Sequence, residues 1–165
     1  MEIENWKFIH FIKSMSFNRN EYKVDPKFKS AILGRLVGQT FKDGKKSIGL
    51  KVVYKMLEII KEKTKRDPLE VFDEAMKNVA PLLETKAKRI GGATYQIPVP
   101  VMGPRKTTLA IRWILAASRA KKGKPISERM AMEIIDASEK RGAAIKKKED
   151  IQKMAESNRA FAHFA

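Results

Sequence analysis

Cysteine is absent from the 165-residue sequence, and histidine occurs only twice. The lack of thiols excludes disulfide bonds, thiolate nucleophiles and cysteine-ligated zinc or iron–sulfur centres. His10 and His163 lie at opposite ends of the chain, so they offer little for a metal site or a catalytic pair. We therefore expect no metal and no cofactor, and a compartment that is reducing or indifferent to disulfides.

Long hydrophobic runs are also missing. No apolar run approaches the roughly 20 residues that a membrane helix needs, and the segment Phe8 to Ile12 is interrupted by His10. This segment is too short for the core of a signal peptide, and Glu2 and Glu4 argue against a cleavable mitochondrial presequence, which is poor in acids. We expect no contact with a membrane, and a protein that is made and used in one compartment.

Common enzyme motifs are absent as well. The sequence has no G-x-x-x-x-G-K-[ST], no H-E-x-x-H and no G-x-S-x-G pattern, and no G-x-G-x-x-G after a strand. Acid pairs such as Asp73 and Glu74 lie beside cations on predicted helices, where a solvated face is the simpler interpretation. The sequence therefore indicates a protein that is not an enzyme.

Acidic residues are missing from one long stretch of the chain. The sequence has 35 Lys and Arg against 19 Asp and Glu, a net charge of +16. Residues 85 to 125 hold ten of the cations and no acid, whereas the other segments mix both signs. A merely soluble surface would mix charges throughout, so this acid-free segment indicates a surface for a polyanion. Nucleic acid is the favoured partner, and an acidic protein or a membrane surface is the alternative.

Apolar residues at helical spacing predict a mainly α single domain of about six helices. Ser47 is the expected cap of the second helix. The third begins at Asp67 and Pro68, which suit the N-cap and the first helical position. The segment Leu109 to Ala117 is apolar on nearly all sides, as expected of a central helix. Within it, Arg112 has two open explanations: a stem that reaches past the core to solvent, or a buried phosphate or carboxylate partner.

Two further helices are expected in the C-terminal part. Ser127 and Glu128 begin the first, and Gly142 ends it. The last begins near Glu149 and Asp150, whose charges suit a helix N-terminus. Representative core residues of the whole domain are Phe72, Trp113 and Ile134.

A β-hairpin interrupts the helical pattern at about residues 83 to 101. Residues 93 to 101 alternate in polarity after the pair Gly91-Gly92, which predicts a tight turn between two strands. Pro98 and Pro100 cannot donate ladder hydrogen bonds, so they belong on an edge. The first strand carries three cations close to the turn: Lys86, Lys88 and Arg89.

Several strings of the sequence, in order, resemble ribosomal protein seven of the small subunit in its bacterial and organellar form. They cover about residues 24 to 164 and include a specific hairpin string and a specific C-terminal string. The matching strings are Asp43 to Ser47, Asp67 to Glu70, Gly91 to Val99, Leu109 to Trp113, Lys146 to Asp150 and Met154 to His163.

This resemblance implies a six-helix domain with an extended hairpin that binds the 3′ major domain of small-subunit rRNA. It further implies that the protein nucleates assembly of the subunit head, contacts small-subunit ribosomal proteins nine and eleven, and needs no homo-oligomer. Its hairpin tip, here Arg89, Gly91 and Gly92, would approach exit-site tRNA and the mRNA path. The expected RNA-binding residues are Lys45, Lys46, Lys86, Lys88, Arg89, Arg105, Lys106, Arg119, Lys121, Lys122, Lys146, Lys147 and Lys148.

The sequence departs from this family at both ends. Residues 1 to 22 lack the Arg-rich arm of bacterial members, so we divide the chain into an extension without family match, residues 1 to 22, and a ribosomal domain, residues 23 to 165. The usual Tyr-Arg-Trp ending is replaced by Phe164-Ala165. We therefore expect a mitochondrial ribosome, with synthesis inside the organelle, and keep a plastid or the bacterial cytoplasm as alternatives.

Two other function classes compete with this interpretation. A DNA-binding architectural protein could use a basic β-arm, although it would usually need a dimer to present two arms. An RNA-modifying enzyme is the catalytic alternative, but no cofactor motif or placed nucleophile supports it. Preference for folded RNA over duplex DNA would separate the ribosomal protein from the first alternative.

Overall fold

The computed structural model describes residues 24 to 164, and the expectations for residues 1 to 22 and for Ala165 lie outside this range. The described residues form a mainly α domain with one two-stranded antiparallel hairpin, which confirms the predicted fold class. The elements are α1 (Ala31–Thr40), α2 (Lys46–Thr64), α3 (Pro68–Val79), β1 (Leu83–Ile90), β2 (Ala93–Pro100), α4 (Pro104–Ala120), α5 (Ile126–Ser138), α6 (Ala143–Ser157) and a 3₁₀ helix (Arg159–Phe164).

The apolar faces of the six helices meet in one core. Phe72 and Ile134 are 1% and 0% exposed within it. Trp113 is only partly buried and packs against the edge of the core. The predicted burial of α4 on nearly all sides is wrong, because Arg112 and Ala116 are exposed on one face of this helix. No helix of residues 24 to 164 is long and apolar enough to cross a membrane.

Helix starts that depend on local signals are only partly as predicted. The Asp67 carboxylate accepts the backbone N–H of Leu69 at 3.3 Å, so α3 begins with the expected cap. Ser47 does not cap α2; the N-cap position is Lys45, and no side chain caps it. Helix α5 begins at Ile126, one residue before the expected Ser127.

The start of α6 was wrongly expected near Glu149. The helix begins at Ala143, and Gly142 is its N-cap residue rather than the end of α5. The cap comes from another helix: Glu133 of α5 accepts the backbone N–H of Ala144 at 2.8 Å. A tertiary contact of this kind leaves no local pattern in the sequence, and the charges of Glu149 and Asp150 placed the expected start too late.

The hairpin has the predicted turn and leans on the C-terminal elements. Gly91 and Gly92 have φ of +57° and +91°, which suits the tight turns that join antiparallel strands. The rings of Tyr95 in β2 and Phe161 in the 3₁₀ helix lie 4.8 Å apart. A two-stranded hairpin is marginal alone, so this packing against the body supports its strands.

Candidate nucleic-acid interface

Three arginines lie along one face of α4. Arg105, Arg112 and Arg119 are seven residues apart, close to two full turns each, so they share a face that is about 21 Å long. All three are exposed, and the helix contains no acidic residue. We call these residues the arginine stripe. Arg112 is therefore a surface cation, and neither a buried phosphate nor a buried carboxylate is needed to explain it.

Glu84 joins the stripe to the base of the hairpin. Its Oε2 accepts from Nε and Nη2 of Arg105 at 3.2 and 2.9 Å, and its Oε1 lies 3.7 Å from Nζ of Lys86. Glu84 directly precedes the acid-free segment. The charge of that segment therefore gave no indication that this acid pairs with Arg105 and Lys86. The ion pairs fix the first strand of the hairpin against the N-terminal end of the stripe.

The other end of the stripe meets the turn between α1 and α2. Nη2 of Arg119 donates to the carbonyls of Gln39 and Thr40 at 3.4 and 3.3 Å, at the C-terminus of α1. Arg119 also lines a hollow of about 340 Å³ together with Lys42 and Lys45. Lys42 was not among the predicted RNA-binding residues. The structure thus places Lys42 and Lys45 of the turn beside the C-terminal end of the stripe, and the neighbouring Lys46 is exposed.

The loop after α4 is held by internal contacts. Nζ of Lys121 lies 2.7 Å from Oε2 of Glu133 and 3.6 Å from Oδ2 of Asp136. The Arg129 guanidinium donates to the carbonyl of Lys121. Lys121 therefore has a structural role, whereas Lys122 in the same loop is exposed. Lys106, at the start of α4, is half-buried.

The hairpin carries its cations away from the body. Lys86, Lys88 and Arg89 are exposed, as are Gly91 and Gly92 in the turn. Each strand has eight residues, so the tip lies about 27 Å beyond the base. The hairpin can therefore reach a partner that the arginine stripe does not contact.

The cations of α6 are separate from the stripe. Nζ of Lys148 donates to the carbonyl of Asn78 at 2.7 Å, near the C-terminus of α3, so its role is structural. Lys146 and Lys147 are exposed, and Lys146 lines a different hollow with Lys140 and Lys153. Within residues 24 to 164, no group of three or more acidic or histidine side chains could hold a metal ion.

Comparison with known proteins identifies the family. The family model described as ribosomal protein S7p/S5e matches residues 12–159. The chain is 55% identical over 146 residues to the small ribosomal subunit protein uS7 of Thermotoga maritima, covering 88% of this chain and 94% of that protein. The proteins of the same name from Thermotoga neapolitana and Kosmotoga olearia are 53% and 51% identical over the same length and shares.

These comparisons also bear on the expected location and domain division. All three relatives come from bacteria, so they do not support the expected mitochondrial ribosome and favour the bacterial alternative. They are structural proteins of the ribosome, not enzymes. The family match begins at residue 12, and the boundary set at residue 23 stays a prediction. The chain belongs to the ribosomal protein S7p/S5e family and is a small-subunit ribosomal protein of the bacterial form.

Proposed function

We propose that this protein binds the 3′ major domain of small-subunit rRNA and nucleates assembly of the subunit head in the bacterial cytoplasm. The observation that carries the proposal is the arginine stripe, which is continuous with the hairpin base through Glu84 and with the Lys42–Lys46 turn through Arg119. Guanidinium groups suit phosphate because their planar donors can bind two oxygens at once. Family membership supports RNA as the polyanion.

The stripe residues differ in how free they are to bind a phosphate. Arg105 is paired with Glu84, and Arg119 donates to carbonyls of α1. Arg112 has neither kind of bond among the described residues and is exposed in the middle of the stripe. It is therefore the cleanest test residue, because its replacement breaks no hydrogen bond or ion pair within residues 24 to 164.

The hairpin is proposed to have a second role at the exit site. Its tip, Arg89 with Gly91 and Gly92, extends beyond the body and combines a cation with a turn that has no side chains. Such a tip can approach a nucleic-acid backbone closely, and contacts of this kind position a strand without reading its sequence. We assign it to exit-site tRNA and the mRNA path.

Protein contacts are proposed at the base of the hairpin. Leu82 and Met102 flank the two strands and are 65% and 74% exposed, and the backbone N–H of Val101 donates to the Leu82 carbonyl at 2.9 Å. Apolar side chains this exposed support contact with other proteins of the small subunit. Ribosomal proteins nine and eleven are the proposed partners.

Arg112→Gln tests the proposal by binding to a transcript of the 3′ major domain. Loss of one phosphate contact lowers the magnitude of the slope of log K against log[salt] by about 0.7 to 0.9 and weakens binding. Lys55→Gln, an equal change of charge on the exposed surface of α2, is the control and leaves the slope unchanged. Equal behaviour of the two variants would refute RNA binding by the stripe, and equal affinity for duplex DNA would favour the architectural protein.

A further inference from the structure

A second group of cations lies at the end of α2 remote from the Lys45 turn. Lys27, Lys61, Lys65 and Arg66 line a hollow of about 670 Å³, together with Tyr54. We call it the Lys61 hollow. Lys61 lies 16 residues after Lys45, and each helical residue rises about 1.5 Å, so Lys61 is about 24 Å from Lys45 along the helix axis.

One wall of the hollow is fixed by a buried carboxylate. Asp25 is 1% exposed and accepts the backbone N–H of Phe28 at 2.8 Å and the hydroxyl of Tyr54 at 2.9 Å. Nζ of Lys27 lies 5.4 Å from the ring centroid of Phe28 and 5.2 Å from that of Tyr54. Burial and the neighbouring Asp25 raise the pKa of Tyr54, so the hydroxyl stays protonated and donates. Lys27 is therefore held in position before a ligand binds.

The charge of the hollow is only partly neutralised by the protein. Lys27, Lys61 and Lys65 form no ion pair with a carboxylate of residues 24 to 164. Arg66 is paired with Glu74 at 3.2 Å. The residues that line the hollow carry four cations against two carboxylates, Glu58 and Asp67, and Asp67 also accepts a backbone N–H. Three ammonium groups in one hollow favour an anion from outside.

We propose that the Lys61 hollow is a second phosphate site, which takes the backbone of an RNA segment different from the one on the arginine stripe. The RNA as ligand rests on the proposed function. An acidic peptide is disfavoured because the faces of Phe28 and Tyr54 are already covered by Lys27, which leaves little apolar surface for an anchoring side chain. With anion sites at both ends, α2 acts as a spacer that holds two RNA segments about 24 Å apart.

Paired substitutions separate this site from the stripe. Lys61→Gln with Lys65→Asn removes two charges from the hollow, and Asn suits the positive φ of +52° at residue 65. Lys51→Gln with Lys55→Gln removes two exposed charges from the same helix and is the control. On the 3′ major domain transcript, the hollow variant lowers the magnitude of the salt slope by about 1.4 to 1.8, or 0.7 to 0.9 for each phosphate, and the control does not.

A footprint of the unmutated complex gives a result that does not depend on variants folding. Lysine acetylation read by mass spectrometry is expected to show Lys61 and Lys65 protected by the RNA, with Lys51 and Lys55 still reactive. Reactive Lys61 and Lys65 in the complex would overturn the second site.

The outcomes also distinguish this inference from the proposed function. If Arg112→Gln weakens binding while the hollow variant matches its control, the second site is wrong and the stripe stands. If neither variant weakens binding, the proposed function itself fails. A hollow variant that binds RNA normally but enters small subunits poorly would show that the hollow serves a protein, which also overturns the proposal.

Discussion

Glu133 is a buried carboxylate that holds three parts of the chain together. It lies on α5, pairs with Lys121 after α4, and accepts the backbone N–H of Ala144 at the start of α6. Because α6 and the 3₁₀ helix pack against the hairpin, this carboxylate connects the C-terminal end of the arginine stripe to the elements that support the hairpin. Gly142 makes the contact possible, since a Cβ there would lie 2.9 Å from Oε1 of Glu133.

Gly142→Ala is predicted to destabilise the protein by about 2 to 4 kcal/mol. The backbone at +95° costs about 1 kcal/mol or more for an L residue, and the clash with Glu133 adds to that cost. Gly123→Ala is the matched control, because its φ is +86° but nothing lies within 4 Å of the added Cβ. Urea unfolding measures the free energy of unfolding of both variants. Equal losses of that free energy would show that Glu133 moves away from the added methyl group without destabilising the protein.

Trp113→Ala is predicted to cost about 3 kcal/mol or less. Full burial of a large aromatic ring is worth about 3 to 5 kcal/mol, and Trp113 packs only at the core edge. Binding to rRNA should be lost only as far as the protein unfolds. Thermal unfolding and RNA affinity are measured together, and a well-folded variant with selectively lost affinity would instead show that the indole stacks on a base.

Single residues were predictable where a local rule decides them. Asp67 caps α3 because its side chain reaches a backbone N–H two residues on, and Gly91 and Gly92 form the turn that their freedom at positive φ allows. Arg112 was left with two explanations, and its exposure favours the one in which the side chain reaches solvent. This exposure depends on which side of α4 the other helices leave open. Packing between distant segments decides that side, and no local pattern records it.

The hairpin is an element whose strands and turn the sequence predicts well. Alternating polarity after Gly91-Gly92 places β2, and β1 is then fixed as its partner, with Lys88 opposite Tyr95. What supports the hairpin was not predictable, because its contacts join segments that are far apart in the sequence. Packing on α6 and the 3₁₀ helix comes from contacts such as Thr85 Oγ1 to Met154 Sδ at 3.7 Å.

Deleting Ile90 to Ala93 is predicted to spare the fold and assembly into small subunits. The deleted residues lie beyond the Tyr95–Phe161 contact, and Arg89 with Thr94, paired across the hairpin, would become the new two-residue turn. Ribosomes with this variant should show altered exit-site tRNA retention or reading-frame maintenance, measured by tRNA binding and a frameshift reporter. Failure to assemble would show that the tip anchors rRNA, and unchanged tRNA behaviour would remove the exit-site role.

In the folded molecule, cations from two separate segments of the sequence form one surface. The acid-free segment supplies the hairpin and the stripe, and the α1–α2 turn joins them through Arg119. The charge distribution of the sequence predicted that a basic surface is present, but it did not predict which residues belong to it. Lys121 and Lys148 carry the right charge, yet their side chains hold the protein itself together.

A salt titration of the unmutated protein on a transcript of the 3′ major domain tests rRNA binding most directly. If about six phosphates are neutralised along the stripe, the hairpin base and the turn, the slope of log K against log[salt] should be about −4 to −5. Affinity should then fall by about a thousandfold between roughly 50 and 200 mM salt. A flat response would contradict binding through this basic surface.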